Sequence, residues 1–385
     1  MLAILTSHPI QYQAPLWRSL AEDGRIKFEV WFLTPHATTP SRDQQFGQTF
    51  AWDQDLLAGY PNRFVPIAPN WNMNSFRGVR TTDSWREQFQ AHGVTHLWVE
   101  GWRFWEFWCA IIQAHRLGIR VYLRGENNDL RPLSVSDRLI KQPILKYLFR
   151  HVEAFLTIGT ASRRYYQRMG ISDDRLHSAP YCVDNDAWAT TTARLRDRRD
   201  EFRSAWNIPQ QATCVMFCGK FIAKKRPLII AEAARRAFGS NSNIHLLFVG
   251  DGELREALEE SLARPDTPPS TITGFLNLSR ISEAFVAADC LILPSDPGET
   301  WGLVVNEAMA SGLPVAASKE CGSSEDLVVP LDSELQFDGN DPQRVAEALS
   351  RLVNHPPPRA AILKQVHSHH FSATIETITQ LYLRT

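Results

Sequence analysis

The sequence predicts an α/β protein of two doubly wound domains. Three observations carry that reading. Short apolar β-type runs alternate with helix-type segments almost from end to end, the pattern of parallel strands joined by crossover helices. The chain has 385 residues, long for one such domain and comfortable for two. A composition shift near 184–200, with a charged run at 193–200, separates two series of alternation.

In the first series the strand candidates are 2–6, 28–33, 96–100, 120–123 and 154–158. Helical periodicity covers 14–21, 105–117 and 136–150. The stretch 35–79 is rich in aromatics, Pro and Asn, and reads as long loops over a site. In the second series strands are expected at 214–218, 245–249, 271–273, 290–293 and 315–317. Helices should start near Arg226, Glu253, Ser279, Leu303 and Pro342. A last helical segment, 370–384, follows the Pro-rich break at 356–358. The expected domains are 1–190 and 205–365, with 366–385 as a helix that crosses back to the first.

Formal net charge is −1, so no global basic field recruits nucleic acid. The six cysteines (Cys109, Cys182, Cys214, Cys218, Cys290 and Cys321) form no CxxC pair and read as buried free thiols in a reducing compartment. The first residues lack a basic n-region and read as a strand. No apolar run approaches the roughly 20 residues that span a bilayer. The expectation is a cytoplasmic protein, with peripheral membrane contact left open.

Chemistry concentrates after the strands of the second series, where ligands bind in doubly wound sheets. The segment 296–307 sets Glu299 and Glu307 eight positions apart, across a loop that opens into a helix. Helix-start amides attract phosphate, and flanking carboxylates can hold sugar hydroxyls. Glu307 has apolar neighbours (Val304, Val305, Ala308 and Met309), so an idle carboxylate there would be costly. Gly219 and Lys220 follow strand 214–218, with Lys225 further along the same loop. The two ammonium groups suit a departing diphosphate; alone, a solvated charge run is the better reading. Gly250 and Gly252 permit tight turning and close ligand approach, or simply form an ordinary turn. Gly274 and Phe275 offer backbone groups and an aromatic support for a base, or a core aromatic. Gly302 reads as a point where backbone comes close to a ligand.

These segments together resemble the retaining nucleotide-sugar glycosyltransferases of family 4. The resemblance spans most of 212–320, through Gly219-Lys220-Phe221, Lys225-Arg226-Pro227, Val249-Gly250-Asp251-Gly252, Gly274-Phe275 and Glu299 to Val315. It implies the GT-B architecture: two Rossmann-like domains facing an interdomain cleft. It also implies roles. Glu307 holds ribose hydroxyls, Glu299 contacts the transferred sugar, and amides around Thr300, Trp301, Gly302 and Leu303 receive the diphosphate. Lys225 and Lys220 are the counter-charges, with Lys220 where many members have Arg. The implied reaction is metal-independent front-face transfer by a hexosyltransferase, with no cofactor required. The donor would be a UDP- or GDP-sugar. The acceptor would be a saccharide, a lipid-linked saccharide or a small molecule, in bacterial glycan or polysaccharide biosynthesis.

In the first half His8 replaces the family's glycine-rich loop and is expected to touch donor sugar or acceptor, or merely to begin a helix. Glu100 to Trp105 could stack on a sugar face or pack as a helix start. Arg124 and Glu126 are the acceptor-side candidates, with a local salt bridge as the competing account. The Asp-x-Asp matches at Asp53 and Asp184 are not expected to bind metal. A GT-B nucleotide-sugar epimerase and a non-catalytic binding subunit are the alternatives.

Overall fold

The computed structural model describes residues 1–36, 41, 42, 49, 50, 55–132, 134–241 and 243–384. Asp53 lies outside them. Two compact units emerge: the described residues of Met1–Ser41, Gln54–Pro180 and Phe371–Thr385, and those of Arg42–Asp53 and Tyr181–His370.

The strands in chain order are β1 (Leu2–Thr6), β2 (Phe28–Phe32), β3 (Ser41–Arg42), β4 (Thr49–Phe50), β5 (Asn62–Phe64), β6 (His96–Glu100), β7 (Arg120–Arg124), β8 (Ala154–Thr157) and β9 (Leu176–Ser178). They continue as β10 (Thr213–Cys218), β11 (Ile244–Val249), β12 (Ser270–Gly274), β13 (Cys290–Leu293), β14 (Val315–Ser318) and β15 (Gln336–Phe337). Apart from the β3–β4 ribbon they form two sheets, ordered β5-β2-β1-β6-β7-β8-β9 and β12-β11-β10-β13-β14-β15. Pairing within both sheets is parallel. Parallel strands covered on both faces need continuous apolar runs, and β1, β11, β13 and β14 are buried at every position.

Both sheets reverse their winding direction once. In the first sheet the chain winds outward from β1 to β2 and returns to place β6 on the other side of β1. In the second, β10, β11 and β12 run one way and β13 returns beside β10. The loops after the two strands flanking such a reversal diverge and leave a crevice at their carboxyl ends.

The short edge strands β5, β9 and β15 are not evident in the sequence, because two or three residues carry no period. β5 lies within the stretch read as irregular. Helix Trp85–Ala91 has a complete capping box from Ser84 and Glu87, a readable start signal outside the predicted elements. The last helix, Phe371–Leu383, packs in the first unit: Tyr122 Oη donates to Leu381 O at 2.8 Å and Thr377 Oγ1 to Ser178 O at 2.7 Å.

Backbone contacts join the loops after β10, β11 and β12. Gly219 N–H donates to Val249 O at 2.9 Å, Gly250 N–H to Gly274 O at 3.0 Å, and Phe221 N–H to Asp251 O at 2.9 Å. Gly250 has φ +142°, and a Cβ there would lie 2.0 Å from Gly219 O. The close approach this glycine permits is therefore to the neighbouring loop and not to a ligand. Gly250→Ala should destabilise the second unit by about 2–4 kcal/mol, combining strained backbone with a clash against main chain. Denaturant unfolding of the purified variant measures this; a loss below about 0.5 kcal/mol contradicts the packing account.

Candidate functional site

The second unit gathers charge at its β10/β13 reversal. The β10–helix loop carries Lys224 and Lys225 in a single 3₁₀ turn, Ala223–Lys225. Arg226 follows in the left-handed region at φ +51° and starts helix Pro227–Phe238. The loop after β13 is tied to this turn, since Asp296 N–H donates to Lys224 O at 2.9 Å. Asp296 Oδ1 accepts from Gly298 N–H at 2.6 Å and bends the loop back. These bonds bring Glu299 against the cations: it pairs with Lys225 Nζ, and its Oε1 lies 3.7 Å from Lys224 Nζ. Ser295 Oγ donates to Glu299 Oε2 at 3.3 Å.

Glu299 is buried. Burial alone pushes its carboxyl upward, but Lys225 and then Lys224 outweigh it, holding the group below the usual range. It is a carboxylate at neutral pH.

Glu307 sits on the short helix Val304–Ala310, 3% exposed. Its charge is felt at Cys218, the last residue of β10, whose thiol is pushed up by burial first and by Glu307 second. Cys321 is pushed to about 12 by burial and then by Glu299. Both carboxylates thus flank the end of the β10–β13 pair. The first intrahelical bond here is Val305 N–H to Gly302 O at 2.9 Å, so the amides of Gly302, Leu303 and Val304 precede the ladder.

Two residues of this loop also pack against protein. Gly302 (φ +89°) makes room for protein: a Cβ there would meet Cys321 Sγ at 2.7 Å and Leu293 Cδ2 at 2.9 Å. Trp301 contributes a buried core ring, donating from Nε1 to Asn306 Oδ1 at 2.8 Å. Its carbonyl accepts from Ser323 N–H at 3.0 Å.

Lys220 is half-buried at the start of the β10 loop. Gly219, Gly250 and Gly274 belong to the backbone layer described above; Gly252 lies against the Phe221 main chain, where a Cβ would be 2.6 Å from Phe221 O, and Phe275 is half-buried beyond β12. Sequence reasoning missed Lys224. Its signal was present, as Lys224-Lys225 precede a helix-starting proline, but the sequence does not tell which of two adjacent lysines turns inward.

In the first unit the reversal lies between β1 and β6. Leu5 pairs opposite Val99, so Thr6-Ser7-His8 and Glu100 leave the sheet side by side. Glu100 accepts from Gln13 Nε2 at 3.3 Å, and Thr6 Oγ1 bonds Gln13 Oε1 at 3.4 Å. Arg124, at the end of β7, lies 3.9 Å from Glu100 Oε1 and donates to Ala179 O at 3.2 Å and Pro180 O at 3.4 Å. Arg124 is buried, whereas Glu126 is exposed.

His8 bonds Ser7 Oγ through Nδ1 at 2.8 Å and stacks edge-on to His36 at 5.1 Å. Burial, then His36 and Arg103, lower its pKa to about 4, so the imidazole is neutral at pH 7. The aromatics after β6 pack inward. Phe104 and Trp108 are buried, and Trp102 stacks on Tyr165 at 6.4 Å and meets Phe149 edge-on at 5.4 Å. Asp184 caps helix Asn185–Leu195 by accepting from Ala187 N–H at 2.9 Å. Among the described residues no group of three or more His, Cys, Asp or Glu could hold a metal ion, and the cysteines are free.

Glu100 was not singled out from sequence. Burial pushes its carboxyl to about 7, against the lowering influence of Arg124. A carboxyl raised on folding leaves stability intact below its unfolded value, near 4.5, and loses it as pH rises through about 7. Glu100→Gln should therefore remove about 2–3 kcal/mol of stability loss between pH 5 and 8 relative to the parent chain. Thermal melts across that range measure the difference. Parallel pH profiles for the two proteins would contradict the burial account.

The comparisons with known proteins fit this geometry. Residues 198–368 match the family model described as Glycosyl transferases group 1. Among curated proteins, the chain is 26% identical over 245 residues to a D-inositol 3-phosphate glycosyltransferase of Thermomonospora curvata. That match takes in 57% of this chain and 54% of the relative, so the chain spans about half the relative's length. Among solved structures, Anabaena Alr3699/HepE in complex with UDP and glucose superposes with a TM-score of 0.70 at 14% identity. The match covers 99% of this chain and 98% of that one. A glycosyltransferase from Rickettsia africae gives 0.71 at 11% identity, covering 99% and 97%. The fold is that of the GT-B glycosyltransferases: two Rossmann-like units with parallel sheets of seven and six strands.

Proposed function

We propose that this chain is a retaining, family 4 type hexosyltransferase that moves a sugar from a nucleotide diphosphate to an acceptor hydroxyl. The observation that carries the reading is the Glu299–Lys225–Lys224 cluster at the β10/β13 reversal, with Glu307 beside it. It lies within the stretch matched by the glycosyl transferase group 1 model. A solved structure of the same fold holds UDP and glucose, and a curated relative is GDP-mannose-dependent, so the proposed donor is a UDP- or GDP-sugar.

In this reading Lys225, with Lys224 and Lys220 near it, turns to the diphosphate. Amides of Gly302 and Leu303 add hydrogen bonds, Glu307 accepts from ribose hydroxyls, and Glu299 accepts from hydroxyls of the sugar. The bond from the anomeric carbon to the diphosphate oxygen breaks as positive charge grows on the ring. The acceptor oxygen then bonds to that carbon from the same face. Its proton passes to the departing diphosphate oxygen, so no protein nucleophile or metal is required. The first unit binds the acceptor at the β1/β6 end. There neutral His8 can accept a hydrogen bond, while Arg124 positions Glu100. The acceptor is a saccharide or lipid-linked saccharide of a bacterial glycan, and the enzyme works in the cytoplasm against a membrane surface.

Lys225→Ala should lower kcat by about 10²–10³, the scale of removing one electrostatic donor from a transition state. A panel of UDP- and GDP-sugars with candidate acceptors, read by mass detection, supplies the assay. Acceptor-dependent release of nucleotide is expected, together with that loss in the variant. A near-normal rate in Lys225→Ala removes this residue from the chemistry, and an altered sugar nucleotide without acceptor would make the chain an epimerase.

A further inference from the structure

The first unit carries an apolar face that the site does not explain. Val135, Leu139, Ile140, Ile144 and Tyr147 are 50–72% exposed. They lie on one helical segment, a π-type turn at Asp137–Lys141 running into helix Gln142–Phe149. Ile140, Ile144 and Tyr147 recur at the spacing that lines one helix face, while Leu145, Leu148 and Phe149 are buried in the core on the other. Exposing one such side chain is ordinary; clustering five on one segment marks an interaction surface.

The rim of this face is basic. Between residues 131 and 150 stand Arg131, Arg138, Lys141, Lys146 and Arg150, all exposed, against the single acid Asp137. That acid is already engaged by Ser134 and lies 3.7 Å from Lys141. A chain of net charge −1 thus concentrates positive charge around its apolar segment. A second copy of the chain would bring the same cations to a two-fold contact, where they repel. Nucleic acid has no use for the aliphatic centre. An interface that is apolar at its middle, anionic around it and indifferent to shape matches both features: a bilayer with anionic headgroups.

We propose that the 135–149 segment is a docking surface for an anionic lipid membrane. Leu139, Ile140, Ile144 and Tyr147 enter the headgroup boundary, and the flanking Lys and Arg side chains pair with lipid phosphates. No helix among the described residues is long and apolar enough to cross a membrane, so the contact is peripheral. The inference rests on the membrane-surface part of the function proposed above. Its test reads binding without donor or acceptor, so failure of docking and failure of transfer are told apart.

The experiment is vesicle flotation of the full chain. Vesicles are phosphatidylcholine alone, or phosphatidylcholine with about one third phosphatidylglycerol. The variants are Leu139→Glu/Ile140→Glu and Arg138→Glu/Lys141→Glu. The parent chain should float with anionic vesicles and at least tenfold less with neutral ones. The basic-rim variant should bind about 25-fold or more weakly, from roughly fivefold per cation removed. The apolar variant should stay unbound on both. All four sites are exposed, so melting temperatures should match the parent and exclude misfolding. Three results would overturn the proposal. The parent could ignore anionic vesicles, or both variants could bind as the parent does. The third is concentration-dependent self-association, abolished by Leu139→Glu/Ile140→Glu, in a chain that binds no vesicle.

Discussion

The buried carboxylate of Glu299 and its partner Lys225 set the terms for the second unit. They come from loops that follow adjacent strands, β10 and β13, and each loop is shaped before the charges meet. The 3₁₀ turn at Ala223–Lys225 presents the lysines, and the Asp296 to Lys224 backbone bond draws the second loop over them. Such a pair is a poor source of stability, because desolvation costs about as much as the attraction returns. An apolar pair would hold these loops together equally well. The better account of the pair is that it stores charge. Under the proposed function, the carboxylate holds the poorly exposed Lys225 and the more open Lys224 until a polyanion replaces it. On the proposed reading, an incoming diphosphate takes over Lys225, and Glu299 becomes free to accept from sugar hydroxyls.

The two units use their strand-end reversals differently. In the second, cations and carboxylates are close to balance. In the first, the β1/β6 end carries a neutral imidazole at His8 and a carboxyl at Glu100 that titrates near neutrality, backed by buried Arg124. That pattern suits an uncharged hydroxyl acceptor better than a phosphate. The many aromatics belong to the first unit's interior: Trp17, Trp31 and Trp98 are among its fully buried side chains. Tyr147, on the basic-rimmed helix, is exposed, as are Phe64 and Phe76.

Much of the fold was legible in the sequence, because buried parallel strands are continuous apolar runs. β1, β6 and β13 fall at their expected bounds. The short edge strands β5, β9 and β15 were not, since pairing with a neighbour defines them and their own pattern does not. Glu307 was legible because a carboxylate among apolar residues is conspicuous, and Glu299 because it stands eight positions earlier in the Gly- and Pro-bent loop that opens that helix. What the sequence hid was partnership. The spacing at 219–225 does not reveal that Lys224 turns toward Glu299. The glycines at 250 and 302 were legible as close approaches, but the thing approached is protein: Gly219 O in one case, Cys321 and Leu293 in the other. Non-local backbone contacts decide each of these, and no single-residue pattern encodes them.

On the proposed reading, the Glu299–Lys225 ion pair opens when donor arrives. A crystal structure of the chain with a UDP-sugar bound tests this most directly. The account predicts the diphosphate within hydrogen-bond distance of Lys225 Nζ, the ribose at Glu307, and the Glu299 carboxylate on sugar hydroxyls with its ion pair to Lys225 opened. Nucleotide bound elsewhere, with the Glu299–Lys225 pair intact, would contradict it.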